Sequence, residues 1–188
     1  LSGGNDGTVP ALQNMTDALD ALNLVDDISI VAAPGSTVYG ALGDGVRNAL
    51  IGHAESSNFR IAVCDPPLGQ EMAELRRTRG QFDNTYAAFY APPIRIMNPR
   101  YTQADTASQR EIVVPPSGIL CGVYARTDSA KPGGVYDPPA GIEKGRMFGV
   151  LGFETKEVLE EAKRDLVYPR RINPLTTGPG MPRFIDGS

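Results

Sequence analysis

Tryptophan is absent from this 188-residue chain, histidine occurs once and cysteine occurs twice. The cysteines, Cys64 and Cys121, lie in apolar segments, and two are too few for a disulfide framework. We therefore expect buried free thiols, which are stable in a reducing compartment. One histidine and two distant cysteines give no spacing that is typical of a zinc site, so we expect neither a metal nor a cofactor.

Basic charge and long apolar runs are also scarce. The chain has 18 Lys and Arg against 22 Asp and Glu, a net charge of −4. This balance gives no electrostatic support for a phosphate backbone, so we expect no direct nucleic-acid partner. The apolar runs are far shorter than a membrane-spanning helix, and no signal-peptide pattern opens the sequence, so we expect no membrane insertion. Because the chain begins at Leu1, we expect it to be a piece of a longer protein.

Glycine and proline are abundant, at 21 and 16 residues, and are spread along the chain as frequent turns. The segments between them predict helices over 11–22, 38–54, 69–79, 117–128 and 156–167. They predict strands over 28–32, 59–64, 86–90, 93–97, 111–114 and 149–153, with long loops over 100–110 and 129–146. This order predicts an α/β fold with an open layered sheet flanked by helices and connected by long Pro/Gly-rich loops. The fully apolar segment Ile28–Ala32 predicts a strand in the middle of a parallel sheet.

The segment Glu111–Asp128 has the composition of a scaffold. Its β-branched start favours a strand, and Pro115-Pro116 prevents both a strand and a helix from continuing. Ser117 then predicts a helix N-cap, because its hydroxyl oxygen can accept a hydrogen bond from a free amide of the next turn. The segment therefore predicts a structural role, because it contains almost no residues of the kinds that take part in catalysis.

An enzyme reading depends on Ser117, His53 and Asp65, which nominally supply a nucleophile, a base and an orienting acid. Ser117 lacks the glycine-flanked elbow that exposes a hydrolase serine. His53 falls near a predicted helix C-terminus, where histidine commonly caps the last carbonyl groups, so we expect a capping histidine on the surface. We therefore expect no catalytic residue, and an α/β hydrolase-like enzyme stays as the alternative.

Three further groups of residues have both a chemical and a structural interpretation. The acidic pair Asp26-Asp27 is interpreted as a solvated turn, because a metal site needs more oxygen ligands than this segment supplies. The glycines of Gly40–Gly45 miss the dinucleotide-binding spacing and indicate close helix–strand packing instead. Tyr124, Arg126 and Asp128 end the helix of the scaffold segment, and their charges are expected on the surface, paired with a neighbouring subunit or with the following loop.

Six segments together resemble the central domain of contractile-tail sheath proteins of bacteriophages, prophages and related contractile injection systems. They occur in the order of that family and span almost the whole chain: LSGGNDG at Leu1–Gly7, VDDISIVAAPG at Val25–Gly35, CDPP at 64–67, Ala87–Tyr90 with Pro93-Ile94, VVPPSGILCGVYARTD at Val113–Asp128, and INPL at Ile172–Leu175. Where the family usually has a tryptophan, near Val135–Ala140, this chain has Tyr136.

The resemblance implies two regions. Residues 1–170 would be the sheath central domain, whose core is likened to subtilisin in fold only, and 171–188 the truncated start of a C-terminal domain. The arms with which the family links neighbouring subunits would then be missing, so we expect this piece alone to be monomeric or weakly associating.

The implied function is structural rather than enzymatic. Sheath subunits form stacked hexameric rings around a tail tube, and contraction of the helical stack drives the tube through the host cell envelope. The implied partners are other sheath subunits, the tube protein and the baseplate, and the implied location is the contractile tail, assembled in the bacterial cytoplasm. A passive binding module on the tail surface stays as a further alternative.

Overall fold

The computed structural model describes residues 4–5, 7–104, 108–130, 137–155 and 161–187, with the backbone alone for 161–163. The predicted α/β class is confirmed. The helices are α1 Leu12–Leu22, α2 Ala41–Ser57, α3 Met72–Arg79, α4 Ser117–Ser129, α5 Gly141–Lys144 and α6 Glu161–Val167. The strands are β1 Ile30–Ala32, β2 Ile61–Cys64, β3 Ala87–Ala91, β4 Ile94–Met97, β5 Glu111–Val114, β6 Val150–Phe153, β7 Asn173–Thr176 and β8 Phe184–Ile185.

Two sheets organise these elements. Five strands are ordered β1-β2-β3-β7-β8; the first four run parallel, and β8 pairs antiparallel with β7. A second sheet, ordered β5-β4-β6, is antiparallel. The Pro92-Pro93 step separates β3 in the first sheet from β4 in the second.

The side chains of the large sheet alternate between two apolar clusters, as the pleat of a strand requires. One face packs against α2 and α3, and its buried members include Val31, Ala62, Phe89, Leu50 and Leu75. The other face packs against α4 and the small sheet, and its buried members include Val63, Tyr90, Leu120, Ile94 and Phe153. Both faces are therefore covered, which explains why β2 and β3 are almost wholly apolar.

The prediction that Ile28–Ala32 forms a central strand is wrong, because β1 lies at one end of the strand order. Its apolar character has another cause: Val31 contributes to the cluster on the α2 face, while Ile30 and Ala32 pack against the cluster on the α4 face. The strand is apolar because both of its faces are covered, and not because it lies in the middle of the sheet.

The region after residue 170 adds two strands that the sequence did not predict. β7 pairs with β3, and the buried Ile172 and Leu175 belong to the two clusters. The boundary between 1–170 and 171–188 remains a prediction.

Some predictions fall partly on residues outside the described ranges. These are the segment Leu1–Gly7, the loop positions 105–107 and 131–136 with Tyr136, and the first turns of the helix predicted over 156–167. Among the described residues, no helix has the length and apolar character that crossing a membrane requires.

Candidate functional site

Asp65 and Ser117 form a buried pair at the carboxyl end of β2. Asp65 directly follows the last residue of this strand, and its Oδ1 accepts a hydrogen bond from the Ser117 amide at 2.7 Å. Its Oδ2 accepts a hydrogen bond from the Ser117 hydroxyl at 2.5 Å. The exposed fractions are 5% for Asp65 and 0% for Ser117, so the pair is closed to solvent.

The prediction that Ser117 is the N-cap of its helix is wrong. Pro116 already has helical dihedral angles of −81° and −16°, so Ser117 is the first residue of α4 and its amide is one of the free donors. The Asp65 carboxylate satisfies that donor from across the fold, and the Ser117 hydroxyl donates rather than accepts. Asp65, which is distant in the chain, therefore accepts a hydrogen bond from a free helix amide, which is the role that the sequence predicted for Ser117.

Burial dominates the electrostatics of this pair. Desolvation raises the pKa of Asp65 to about 6, and the two hydrogen bonds from Ser117 act in the opposite direction. A carboxylate at the start of a helix is also favoured by the helix dipole. The pair thus connects the large sheet to α4.

His53 does not join this pair. It lies in α2 with an exposed fraction of 7%, so the prediction of a surface histidine is wrong, and its Nε2 lies 2.6 Å from Nη1 of Arg60. Burial, and then the Arg60 charge, lower the pKa of His53, so the neutral ring accepts the hydrogen bond. Arg60 directly precedes β2, whereas Asp65 directly follows it. The strand therefore separates His53 from Ser117 and Asp65, and these three residues form no catalytic triad.

Arg60 is the structurally important residue that sequence reasoning missed. Its guanidinium donates to the carbonyl oxygens of Leu22 at 2.9 Å, Val25 at 2.5 Å and Ile28 at 3.2 Å. It therefore holds the turn between α1 and β1 against the amino end of β2. The available signal was an arginine inside the otherwise apolar run FRIAVC.

The remaining candidates have structural roles. Gly43 lies where an added Cβ would come within 2.5 Å of the Ser36 carbonyl oxygen, so this glycine lets α2 approach the 3-10 turn Ser36–Tyr39. The predicted helix–strand packing is thus wrong for Gly43, because the close approach is to a turn and not to a strand. Asp26 and Asp27 are exposed in a turn, as expected, and the described residues contain no group of three metal-ligating side chains.

The end of α4 contacts the following segment, which was one of the two expectations for Arg126, although the prediction of a loop over 129–146 is wrong where α5 forms. Its Nη2 donates to the carbonyl oxygens of Lys144 and Arg146, both at 2.7 Å, and its guanidinium lies 5.1 Å from the Phe148 ring centroid. Tyr124 contacts Tyr90 edge to face, with ring centroids 6.2 Å apart and a hydrogen bond between the hydroxyl groups. Burial raises the pKa of both tyrosines. Asp128 lines a cavity of about 540 Å³ beside them.

No protein-family model matches this chain, and no curated protein sequence matches it. Solved structures, however, do match this chain. A chain in the cryo-EM structure of the anti-feeding prophage helical sheath in the contracted state aligns with a TM-score of 0.68 and 19% identity over 100% of this chain. A chain in the anti-feeding prophage baseplate aligns with a TM-score of 0.69 and 19% identity over 93% of this chain.

The chain shares its fold with these two proteins. The fold expected from the sheath resemblance is therefore confirmed, and identity at this level shows the fold alone. The alignments cover 44% of the sheath-structure chain and 41% of the baseplate-structure chain, so this chain spans less than half of either neighbour.

Proposed function

We propose that this chain is a structural part of the sheath of a contractile tail or injection machine. The observation that carries the proposal is the fold shared over 100% of the chain with a protein of the anti-feeding prophage helical sheath. The six segments that resemble those of sheath proteins support it independently, because that resemblance depends on the sequence alone.

In this function the chain packs with other sheath subunits in stacked hexameric rings around a tail tube, above a baseplate. Contraction moves each subunit as a rigid body and drives the tube through the host cell envelope. A sheet packed on both faces suits such a movement, since a close-packed interior transmits displacement with little deformation. Assembly takes place in the bacterial cytoplasm, and the product is located in the contractile tail.

The arrangement of Ser117, Asp65 and His53 supports a structural rather than an enzymatic function. The Ser117 hydroxyl is buried and donates to a carboxylate, while His53 lies beyond the other end of β2. A serine nucleophile instead needs an adjacent base and access to its substrate.

Immunoelectron microscopy tests the proposal. Antibodies raised against this chain are applied to contractile particles from the organism that encodes it, with particles from a deletion strain as the control. We expect gold particles along the whole sheath, in both extended and contracted tails. Labelling confined to the end that carries the baseplate would assign the chain there, and no labelling of particles would contradict the proposal.

A second test is independent of the native particle. The product of the complete gene is expressed alone and examined by negative-stain electron microscopy at several salt concentrations. We expect hollow tubes or stacked rings. Dispersed particles under every condition would contradict a polymerising sheath and favour a passive binding module on the tail surface.

A further inference from the structure

The two sides of the amino edge of the large sheet carry opposite charge. On the β3–β7 side lies a basic patch, which we define as Arg76, Arg79, Arg170 and Arg171. On the β1–β2 side lies an acidic patch, which we define as Asp17, Asp20, Asp26 and Asp27. The net charge of −4 conceals this separation.

The basic patch surrounds a cavity of about 370 Å³. Arg79 forms its floor: its exposed fraction is 6%, its Nε donates to the Arg171 carbonyl at 3.0 Å, and its guanidinium lies 4.6 Å from the Phe82 ring centroid. Burial lowers the pKa of Arg79; the Asp83 carboxylate acts in the opposite direction, and the Arg171 charge adds a smaller lowering.

Too few carboxylates lie beside these cations to compensate them. Asp83 lines the cavity, and its Oδ1 lies 2.5 Å from Nη1 of Arg171. Among the described residues, no carboxylate forms an ion pair with Arg76 or Arg170. The cavity therefore presents guanidinium groups that favour carboxylates from outside the chain.

The negative charges of the acidic patch likewise lack ion-pair partners among the described residues. Its four aspartates are exposed, and none forms an ion pair with a lysine or arginine of the described residues. Arg60 lies nearby with an exposed fraction of 7%, but its guanidinium binds backbone carbonyl groups and His53. Asp26 lines a cavity of about 400 Å³ between the α1–β1 turn and the end of α2.

We propose that the basic patch of one copy of this chain binds the acidic patch of a second copy. The inference rests on the proposed function, in which identical subunits repeat. The two patches lie at different positions, so the contact is heterologous and leaves one free patch of each sign on the pair. Such a contact propagates into a ring or a helical stack instead of ending at a dimer.

Sedimentation velocity on this chain tests the contact at low and high salt. Because exposed ion pairs contribute little individually, we expect weak association of the wild type, with a Kd of about 0.1–1 mM that weakens at high salt. The basic-patch variant is R76E/R170E and the acidic-patch variant is D26K/D27K. The control, R100E/R110E, changes net charge as much as R76E/R170E does but alters exposed arginines outside both patches.

We expect each patch variant alone to raise the Kd by about tenfold or more, and the control to leave it unchanged. An equimolar mixture of the two patch variants should regain association, because each reversed patch meets a reversed partner. Circular dichroism checks folding, and R76Q/R170Q, which removes charge without reversing it, should give an intermediate Kd.

Three results would overturn the proposal: a wild type that stays monomeric at about 1 mM, a control that weakens association as much as the patch variants, or a mixture that stays monomeric. An octaglutamate peptide that binds the wild type but not R76E/R170E, when the mixture fails, would assign the basic patch to a different acidic partner. Antibody labelling of the sheath does not depend on these results, so the proposed function and this contact can fail separately.

Discussion

Asp65 is a buried acid that accepts hydrogen bonds from the amide and the hydroxyl of Ser117, the one residue that donates to it in the described part of the chain. A buried carboxylate oxygen that loses its donor keeps its desolvation cost without compensation. The stability of the junction between β2 and α4 should therefore depend on this one hydroxyl group.

For S117A we expect a loss of about 1–3 kcal/mol in the free energy of unfolding, because Oδ2 of Asp65 loses its donor while the backbone bond remains. Urea denaturation measures the change. S129A is the matched control, since the Ser129 hydroxyl donates to the Ala125 carbonyl on an exposed part of the same helix. Equal effects of the two substitutions would contradict the importance of the buried bond.

The pKa of Asp65, about 6 in the folded chain against an ordinary 3.8, makes stability depend on pH. Because the folded state holds the proton more tightly, the Asp65 contribution is complete below pH 3.8 and is lost as pH rises through 6. The expected loss is about 3 kcal/mol. D65N stays neutral, so the difference between wild type and D65N should change over this interval in urea denaturation. Parallel profiles would show that Asp65 does not titrate in this way.

The contribution of His53 to stability should change with pH in the opposite direction to that of Asp65. Burial and Arg60 lower its pKa below the ordinary 6.5, so the folded state binds its proton less well than the unfolded chain. Its contribution is present above pH 6.5 and is lost as pH falls through the lowered folded pKa. H53Q keeps an acceptor for Arg60 without a titrating ring, and the acid-side loss due to this residue should disappear in thermal melts. A variant that melts like wild type at each pH would contradict the assignment.

At the scale of the elements, the position of α2 depends on the absence of a side chain at Gly43. We expect G43A to destabilise the chain by about 1–3 kcal/mol, because its Cβ would collide with the backbone of Ser36. Gly52 lies in the same helix with no atom within 4 Å of an added Cβ. G52A should instead stabilise the chain by about 0.5–1 kcal/mol through helix propensity. Thermal melts of the two variants should shift in opposite directions, and shifts of the same sign would refute the packing role.

Helices and strands whose apolar residues follow a regular spacing could be predicted from the sequence. Strands that form only because they pair with another strand could not. The apolar spacing in α1 and the apolar runs of β2 and β3 are local signals, and the structure places these elements close to the predicted bounds. β7 begins with Asn173-Pro174, which has no strand pattern, and it forms because β3 offers a free edge.

The candidate site shows the same division. The sequence indicated Ser117 and Asp65 as candidate residues. It did not predict that the Asp65 carboxylate accepts a hydrogen bond from the first amide of the helix that Ser117 begins. A cap supplied from 52 positions away has no local signature. Arg60 was missed for the same reason, since its role depends on three carbonyl groups that a turn brings together.

At the scale of the whole molecule, one sheet separates the two apolar clusters, so neither cluster is complete without it. We expect L75A on one face and L175A on the other each to cost about 2–5 kcal/mol, because both side chains are fully buried. Both variants should lower the midpoint of one common thermal transition. The control is L166A, whose leucine has an exposed fraction of 55%. A separate transition that responds only to L175A would instead support a boundary after residue 170.

The shielding of the two cysteines makes the molecule suitable for distance measurements by fluorescence. Cys64 has an exposed fraction of 2% and burial raises its pKa to about 12, while burial also raises the pKa of the half-buried Cys121. At neutral pH both sulfurs are protonated and react slowly with maleimides. A cysteine introduced at an exposed position such as Tyr101 should therefore take up dye selectively. In the proposed sheath, energy transfer between labelled neighbours would then report their spacing in the extended and contracted states.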